Sequence, residues 1–347
     1  MTSPKKIMFL GGSITCGGNA TDHKLSWPYV CYSQIAQGLF CNNATYLNAS
    51  ISGTGSFVAA MRLGQHVLPY APDMVFIEFS VNDLGDAASD PDLVISSLDY
   101  IIQSLIKVNP HVAITFVYTT VAGKNASATH SIVAKHYGIP EIDFQTPMAA
   151  EVNAGRCSWD YYLPDNVHPN DIGHKFYGDI AAQAVLADPE RFTSPTRHAE
   201  SIAKYPFHDP RIIPVTEAFE TTGFTYGLVS DDTHIKHLPE LKVTHGSYSR
   251  KPGASMKVRF HGSHFGIYHR LYTNCGCASV SIDGEYAGKL NCYHNYAASY
   301  KDCGEFLCFF KKTGLAEGEH VAEITLLDEK HENSDGNHMI IAGFLVG

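Results

Sequence analysis

Between residues 5 and 190 a short apolar run is followed by a stretch of helical periodicity, five times over. The runs lie at Lys6–Leu10, Thr45–Ala49, Met74–Phe79, Ala113–Thr119 and near Glu141–Phe144. Continuous apolar runs of this length read as strands buried on both faces. The helical stretches lie at Trp27–Leu39, Ser56–Tyr70, Asp92–Val108, Ala126–Tyr137 and Asp171–Leu186. Ser26 is placed to cap the first of these, with Pro28 in its first turn. Asn170 is placed to cap the last, with Asp171 at its positive end. Strand alternating with helix over this length predicts an α/β fold: a three-layer, doubly wound parallel sheet.

The pattern breaks near residue 190. Residues 187–211 carry four prolines and few periodic apolar positions, which predicts a linker or wrapping segment. Beyond it, Met256–Phe260 and Ser279–Ile282 alternate apolar with polar, and Asp283-Gly284 is a hairpin turn signal before Glu285–Ala287. His320–Leu327 and Met339–Val346 continue without helical pattern. The expected organisation is a first domain at 1–190, a linker at 191–211 and an antiparallel β-sandwich at 212–347.

Charge narrows the partners. The formal net charge is −10, which argues against nucleic acid and against anionic membrane surfaces. No apolar run approaches the roughly 20 residues of a membrane span. The N-terminus has no apolar stretch of signal-peptide length, so the chain reads as cytoplasmic unless a leader was removed. Nine scattered cysteines read as free thiols; a Cys275–Cys277 disulfide would be strained. Sequons at Asn19, Asn43, Asn48 and Asn125 carry little weight, because such triplets are common by chance. Composition does not indicate the oligomeric state.

In an open α/β sheet, ligands gather beyond the carboxyl ends of the strands. Four blocks stand there. Gly11-Gly12-Ser13 follows the first strand, and Ser13 is either a helix cap or a nucleophile. Gly53 lies in a glycine-rich turn after the second, whose backbone N–H groups either close a tight turn or bind an oxyanion. Asn82 follows the third, as an Asx-turn residue or an amide donor. Asp165 precedes His168 by three residues, close enough to accept its Nδ1–H and leave Nε2 as a general base; Pro169 keeps His168 off a helix.

Together these blocks, GGS, Gly53, VND and DNVHP, resemble the SGNH hydrolases, also called the GDSL family, over about residues 5–185. The resemblance implies Ser13 as nucleophile, His168 as base and Asp165 as its orienting partner. It implies an oxyanion hole made of the Ser13 and Gly53 N–H groups and the Asn82 amide. It implies two-step acyl transfer needing no metal and no cofactor. Two positions depart from the family: Gly12 stands where Asp is usual, and Ser80 where Gly is usual. GGS variants look most like carbohydrate esterases, some of which join this domain to a β-sandwich.

The expectation is a serine esterase removing small acyl groups, acetyl above all, from a carbohydrate. The alternatives are an acyltransferase or lipid esterase using the same triad, and a non-catalytic carbohydrate-binding protein on a hydrolase fold. Trp159 and Tyr161 are candidate substrate walls beside Asp165. Glu78 is expected as a sheet-edge or supporting carboxylate, and Asp83 as a structural one that holds backbone N–H groups. The His234/His237 and His261/His264 pairs match no zinc pattern, and no metal is expected.

Overall fold

The first strand, β1 (Lys5–Gly11), runs straight into a one-turn helix, α1 (Ser13–Cys16). After it come α2 (Trp27–Phe40), β2 (Ala44–Asn48), α3 (Ser56–His66), β3 (Met74–Glu78), α4 (Leu84–Ser89), α5 (Pro91–Val108), β4 (Ala113–Tyr118), α6 (Ser127–Tyr137), β5 (Glu141–Asp143), α7 (Gln145–Asn153), α8 (Trp159–Tyr162), α9 (Asp171–Ala187) and α10 (Pro189–Thr193). This computed structural model describes residues 3–229, 238, 241–293, 306–308 and 310–347. The strands form one parallel sheet in the order β2-β1-β3-β4-β5. The chain leaves β1 to one side and returns on the other, so the topological switch falls between β1 and β3, where such sheets bind ligands.

Alternation along each strand feeds both faces. Ile7, Phe9, Phe76 and Val117 pack under Trp27, Cys31 and Ile35 of α2 and Tyr177, Ala181 and Val185 of α9. Met8, Leu10, Val75 and Ile77 point the other way and are equally buried; α3, α5 and α6 pack in a row on that side. Two expected details differ. Ser26 occupies the N-cap position of α2, but its hydroxyl donates to the His23 carbonyl, 2.6 Å away. The Trp27 N–H goes instead to His174 Nδ1 at 3.2 Å. Asn170 caps α9 as its sequence suggests, accepting from the Gly173 N–H at 3.0 Å.

The segment expected as a linker, 191–211, is tied down over much of its length. Thr196 Oγ1 accepts from the Ile114 N–H at 2.8 Å. The buried Asp99 of α5 accepts from the Ser201 hydroxyl at 2.6 Å and the Ile202 N–H at 3.0 Å. The Tyr205 N–H donates to Ser96 Oγ at 3.0 Å. A carboxylate buried in α5 needs donors, and this strap supplies two of them. The first compact unit accordingly runs through Pro206, with Leu238 and Leu241 counted to it, and the second begins at Phe207.

The second unit is antiparallel. Its strands are β6 (Arg211–Pro214), β7 (Glu220–Thr222), β8 (Thr225–Leu228), β9 (His245–Ser249), β10 (Ser255–His261), β11 (Phe265–Arg270), β12 (Cys277–Ile282), β13 (Glu285–Asn291), β14 (Phe306–Leu307), β15 (Lys311–Lys312), β16 (Glu319–Leu326) and β17 (Met339–Val346). One sheet has the order β13-β12-β16-β10-β7 and the other β14-β11-β17-β9-β8. Val258, Val280 and Ile324 of the first meet Ile267, Ile341 and Phe344 of the second in a common core, which makes a β-sandwich. Asp283 and Gly284, both at positive φ, join β12 to β13 as the Asp-Gly signal predicts.

Candidate active site

Ser13 lies at the carboxyl end of β1, in the first turn of α1, where its N–H has no intrahelical acceptor. Its hydroxyl is 2.7 Å from His168 Nε2, across 155 residues of sequence. His168 Nδ1 is in turn 2.7 Å from Asp165 Oδ2. The carboxylate accepts from Nδ1–H, which leaves the Nε2 lone pair facing the serine hydroxyl. The other oxygen, Asp165 Oδ1, accepts the N–H groups of Val167 at 2.9 Å and His168 at 2.7 Å. Partial burial pushes the Asp165 carboxyl up, but these bonds outweigh it and hold the group well below the usual carboxylate range.

Asn19 also serves this carboxylate. Its Nδ2 donates to Asp165 Oδ2 at 3.2 Å and to the His168 carbonyl at 3.4 Å. Sequence reading noted Asn19 only as a sequon. The local signal is Gly17-Gly18-Asn19 itself, three residue types that tolerate positive φ and so mark a turn; Asn19 adopts φ 67° there. The loop is pinned at its far end by Asp171, which accepts from the Thr21 N–H at 2.8 Å and its hydroxyl at 2.6 Å. His174 pins the middle: buried, it donates from Nε2 to the Gly18 carbonyl at 3.0 Å while Nδ1 accepts from Trp27. Burial pulls its pKa down to about 4, so it is a neutral strut at ordinary pH. The His168 ring rests against Gly18, where an added Cβ would lie 2.9 Å from its Cδ2.

The other two expected oxyanion donors lie at the carboxyl ends of the neighbouring strands β2 and β3. Gly53 sits at φ 69° in an exposed turn after β2, a conformation that favours glycine. Asn82 follows β3 and its amide packs directly on the Cα of Gly12. A Cβ at position 12 would lie 2.7 Å from Asn82 Cγ and closer still to its Oδ1. The glycine where the family usually carries aspartate is therefore the space Asn82 occupies.

Behind these groups is a buried polar frame. Asp83 accepts the Ser56 N–H at 2.9 Å and lies 3.0 Å from His130 Nε2, which ties the Asn82 loop to the turn that carries Gly53. This is the backbone-holding role expected of it. Asn48 donates to the Thr15 carbonyl at 2.8 Å and accepts from the Ser50 N–H at 3.0 Å, joining α1 to the same turn. Its amide is fully buried, so this sequon is internal. Glu78 lies on the central strand β3 rather than at an edge. It accepts the hydroxyls of Thr15 and Thr119, each at 2.7 Å, and burial raises its pKa.

The two aromatic candidates are on α8, just ahead of Asp165. Trp159 packs partly buried on the apolar cluster beneath, with its ring edge over Gly123. Tyr161 is 49% exposed, edge-on to Tyr162. Neither shares a hydrogen bond with the Ser13–His168–Asp165 line among the described residues. Among those residues no group of three or more His, Cys, Asp or Glu could hold a metal ion. His234 and His237 lie outside them; His261 is exposed beside Glu317, and His264 is buried against Phe207. No helix among the described residues is long and apolar enough to cross a membrane, and no disulfide joins the cysteines among them.

Residues 9–176 match the family model of the GDSL-like lipases and acylhydrolases. No curated protein matches the chain. Among solved structures, the chain is similar to a two-domain esterase, CEX, active on acetylated mannans and co-crystallised with mannopentaose. That similarity has 23% identity and a TM-score of 0.78 over 99% of this chain and 90% of the other. A second structure of such an esterase matches with 23% identity and a TM-score of 0.75 over 99% and 91%. At that identity the likeness concerns the fold, and it extends through both units.

Proposed function

We infer that this chain, whose residues 9–176 belong to the GDSL-like lipase/acylhydrolase family, is a serine esterase that removes acetyl groups from a carbohydrate. The observation that carries the reading is the unbroken hydrogen-bonded line from Asp165 through His168 to Ser13. In the reaction, Ser13 Oγ attacks the ester carbonyl carbon while His168 Nε2 takes its proton. The new C–O bond places negative charge on the carbonyl oxygen, where the N–H groups of Ser13 and Gly53 and the Asn82 amide donate to it. The intermediate collapses, the sugar hydroxyl leaves with the proton from His168, and the acetyl group stays on Ser13. Water then attacks the acyl-enzyme by the same route and releases acetate. Asp165, ionised throughout, stabilises the imidazolium that forms twice per cycle.

The glycan end of the proposal is supported by the Gly12 variant of the motif and by the two-domain neighbour active on acetylated mannans. The test uses Ser13→Ala, which removes one atom from a half-buried side chain and leaves the fold intact. Acetate release from acetylated mannan and hydrolysis of p-nitrophenyl acetate both fall to background. Turnover near that of the parent would sink the assignment of Ser13. Activity should also drop steeply from acetate to octanoate esters, and a preference for the longer chain would return the lipid-esterase reading.

A further inference from the structure

A concave site lies within the β-sandwich unit. The ends of β8, β9, β11 and β17 enclose a cleft of about 730 Å³. Arg250, Lys251 and Arg270 line it, and His338 stands among them. Tyr248, 36% exposed, and the buried Val229 and Ile340 supply an aromatic and aliphatic wall.

The charge balance of this cleft is unusual for the molecule. Lys and Arg number 25 against 35 Asp and Glu. Elsewhere in the same unit Arg211, Lys257 and Lys289 each sit beside a carboxylate. Among the described residues, Arg250, Lys251 and Arg270 have no carboxylate within ion-pair distance, and the buried Nε of Arg270 has no acceptor. The guanidinium of Arg270 lies instead over the Tyr272 ring, 5.5 Å from its centre. Burial and then the two guanidiniums press the His338 pKa down to about 4, so this imidazole remains a neutral hydrogen-bonding group. Three like charges focused in one recess repel one another and attract an anion. Guanidinium groups suit carboxylates in particular, through paired N–H donors. The cleft is far larger than a carboxylate needs and lies in the range of small-ligand sites, roughly 300–1,000 Å³. Its ring and aliphatic wall suit the apolar face of a sugar.

We propose that the β-sandwich unit binds a carboxylate-bearing saccharide, a uronate-containing glycan, in this cleft. The carboxylate pairs with Arg250 and Arg270, and the sugar ring lies along Tyr248 and Ile340. A neutral sugar leaves the cations unpaired and binds less well. Its test reads binding alone and needs no turnover.

The experiment titrates the full chain with tetragalacturonate, with mannotetraose as the neutral probe and citrate as a free carboxylate, by calorimetry at low and moderate salt. Tetragalacturonate binds, more weakly as salt rises; mannotetraose and citrate bind at least tenfold less tightly. Arg250→Ala, at an exposed position, and Arg270→Gln each weaken uronate binding by about ten- to a hundredfold, the loss of one charged hydrogen-bonding partner. Thermal melting of both variants reports that they are folded. Absence of tetragalacturonate binding to the parent overturns the proposal. So does equal affinity for mannotetraose or citrate, or unchanged affinity in folded Arg250→Ala.

Discussion

Substituting Gly12 by alanine tests how the site is assembled, because it adds one carbon at a place where Asn82 already stands. The backbone at position 12 has φ −93° and ψ −151°, an extended conformation open to any residue, so the change brings no backbone strain of its own. The new Cβ would lie 2.7 Å from Asn82 Cγ. Carbon–carbon contact is comfortable only at about 3.5–4.0 Å, so the amide must retreat by roughly 1 Å. A displacement of that size can cost about 10²-fold in rate, and loss of one oxyanion donor costs about 10²–10³-fold. The expected result is a fall in kcat on p-nitrophenyl acetate of about a hundredfold, some 2.7 kcal/mol of transition-state stabilisation. The melting temperature should change little, since the collision is with one short, half-buried side chain. Asn82→Ala should lose as much or more. The decisive variant combines the two: if Gly12→Ala acts through Asn82, the double variant is no slower than Asn82→Ala alone. Losses that multiply in the double variant, or a Gly12→Ala enzyme within threefold of the parent, refute the reasoning.

Further tests probe the groups around the triad. Asn19→Gly keeps the positive-φ backbone while removing the donor to Asp165; kcat should fall about two- to tenfold at unchanged KM, the worth of one ordinary hydrogen bond. Because Asp165 is held ionised well below its usual range, the acid limb of kcat/KM should follow a single proton. A two-proton slope there would show that Asp165 titrates with the base. His174 has a folded pKa of about 4 against an unfolded value of 6.5, so the unfolded chain takes up its proton first. The stability it protects is present above pH 6.5 and is lost as pH falls toward 4, about 3 kcal/mol in all. Chemical denaturation of the parent and His174→Gln across that window should show the variant with the shallower pH dependence; equal slopes argue against a buried neutral His174. Thr15→Val strips the hydroxyl from Glu78 Oε2 and should cost about 1–3 kcal/mol in stability, read as a lower melting temperature.

The readable parts of the molecule are those whose cause is local. Apolar runs of four to seven residues between helical patterns determine a parallel sheet, because such strands must be covered on both faces. Asp-Gly determines the β12–β13 turn through its tolerance of positive φ. Asp165 and His168 are three residues apart, so one tight loop suffices to bring carboxylate and imidazole together. Their places at strand ends left Ser13, Gly53 and Asn82 each with two readings, and the resemblance to the SGNH hydrolases implied their roles.

Tertiary structure decided what depends on separations the chain order conceals. Asp99 and the strap at 201–202 are about a hundred residues apart, and nothing near residue 201 announces a buried carboxylate waiting for donors. Ser26 looked like a helix cap, but the Trp27 N–H found His174, 147 residues away. Asn19 reaches Asp165 across 146 residues. The absent side chain at Gly12 acquires a reason only once β1 and β3 lie side by side and Asn82 fills the space. Local propensity and pattern set the elements; which polar groups meet is set by close packing of the finished core, where each buried donor and acceptor must find a partner wherever in the chain it lies.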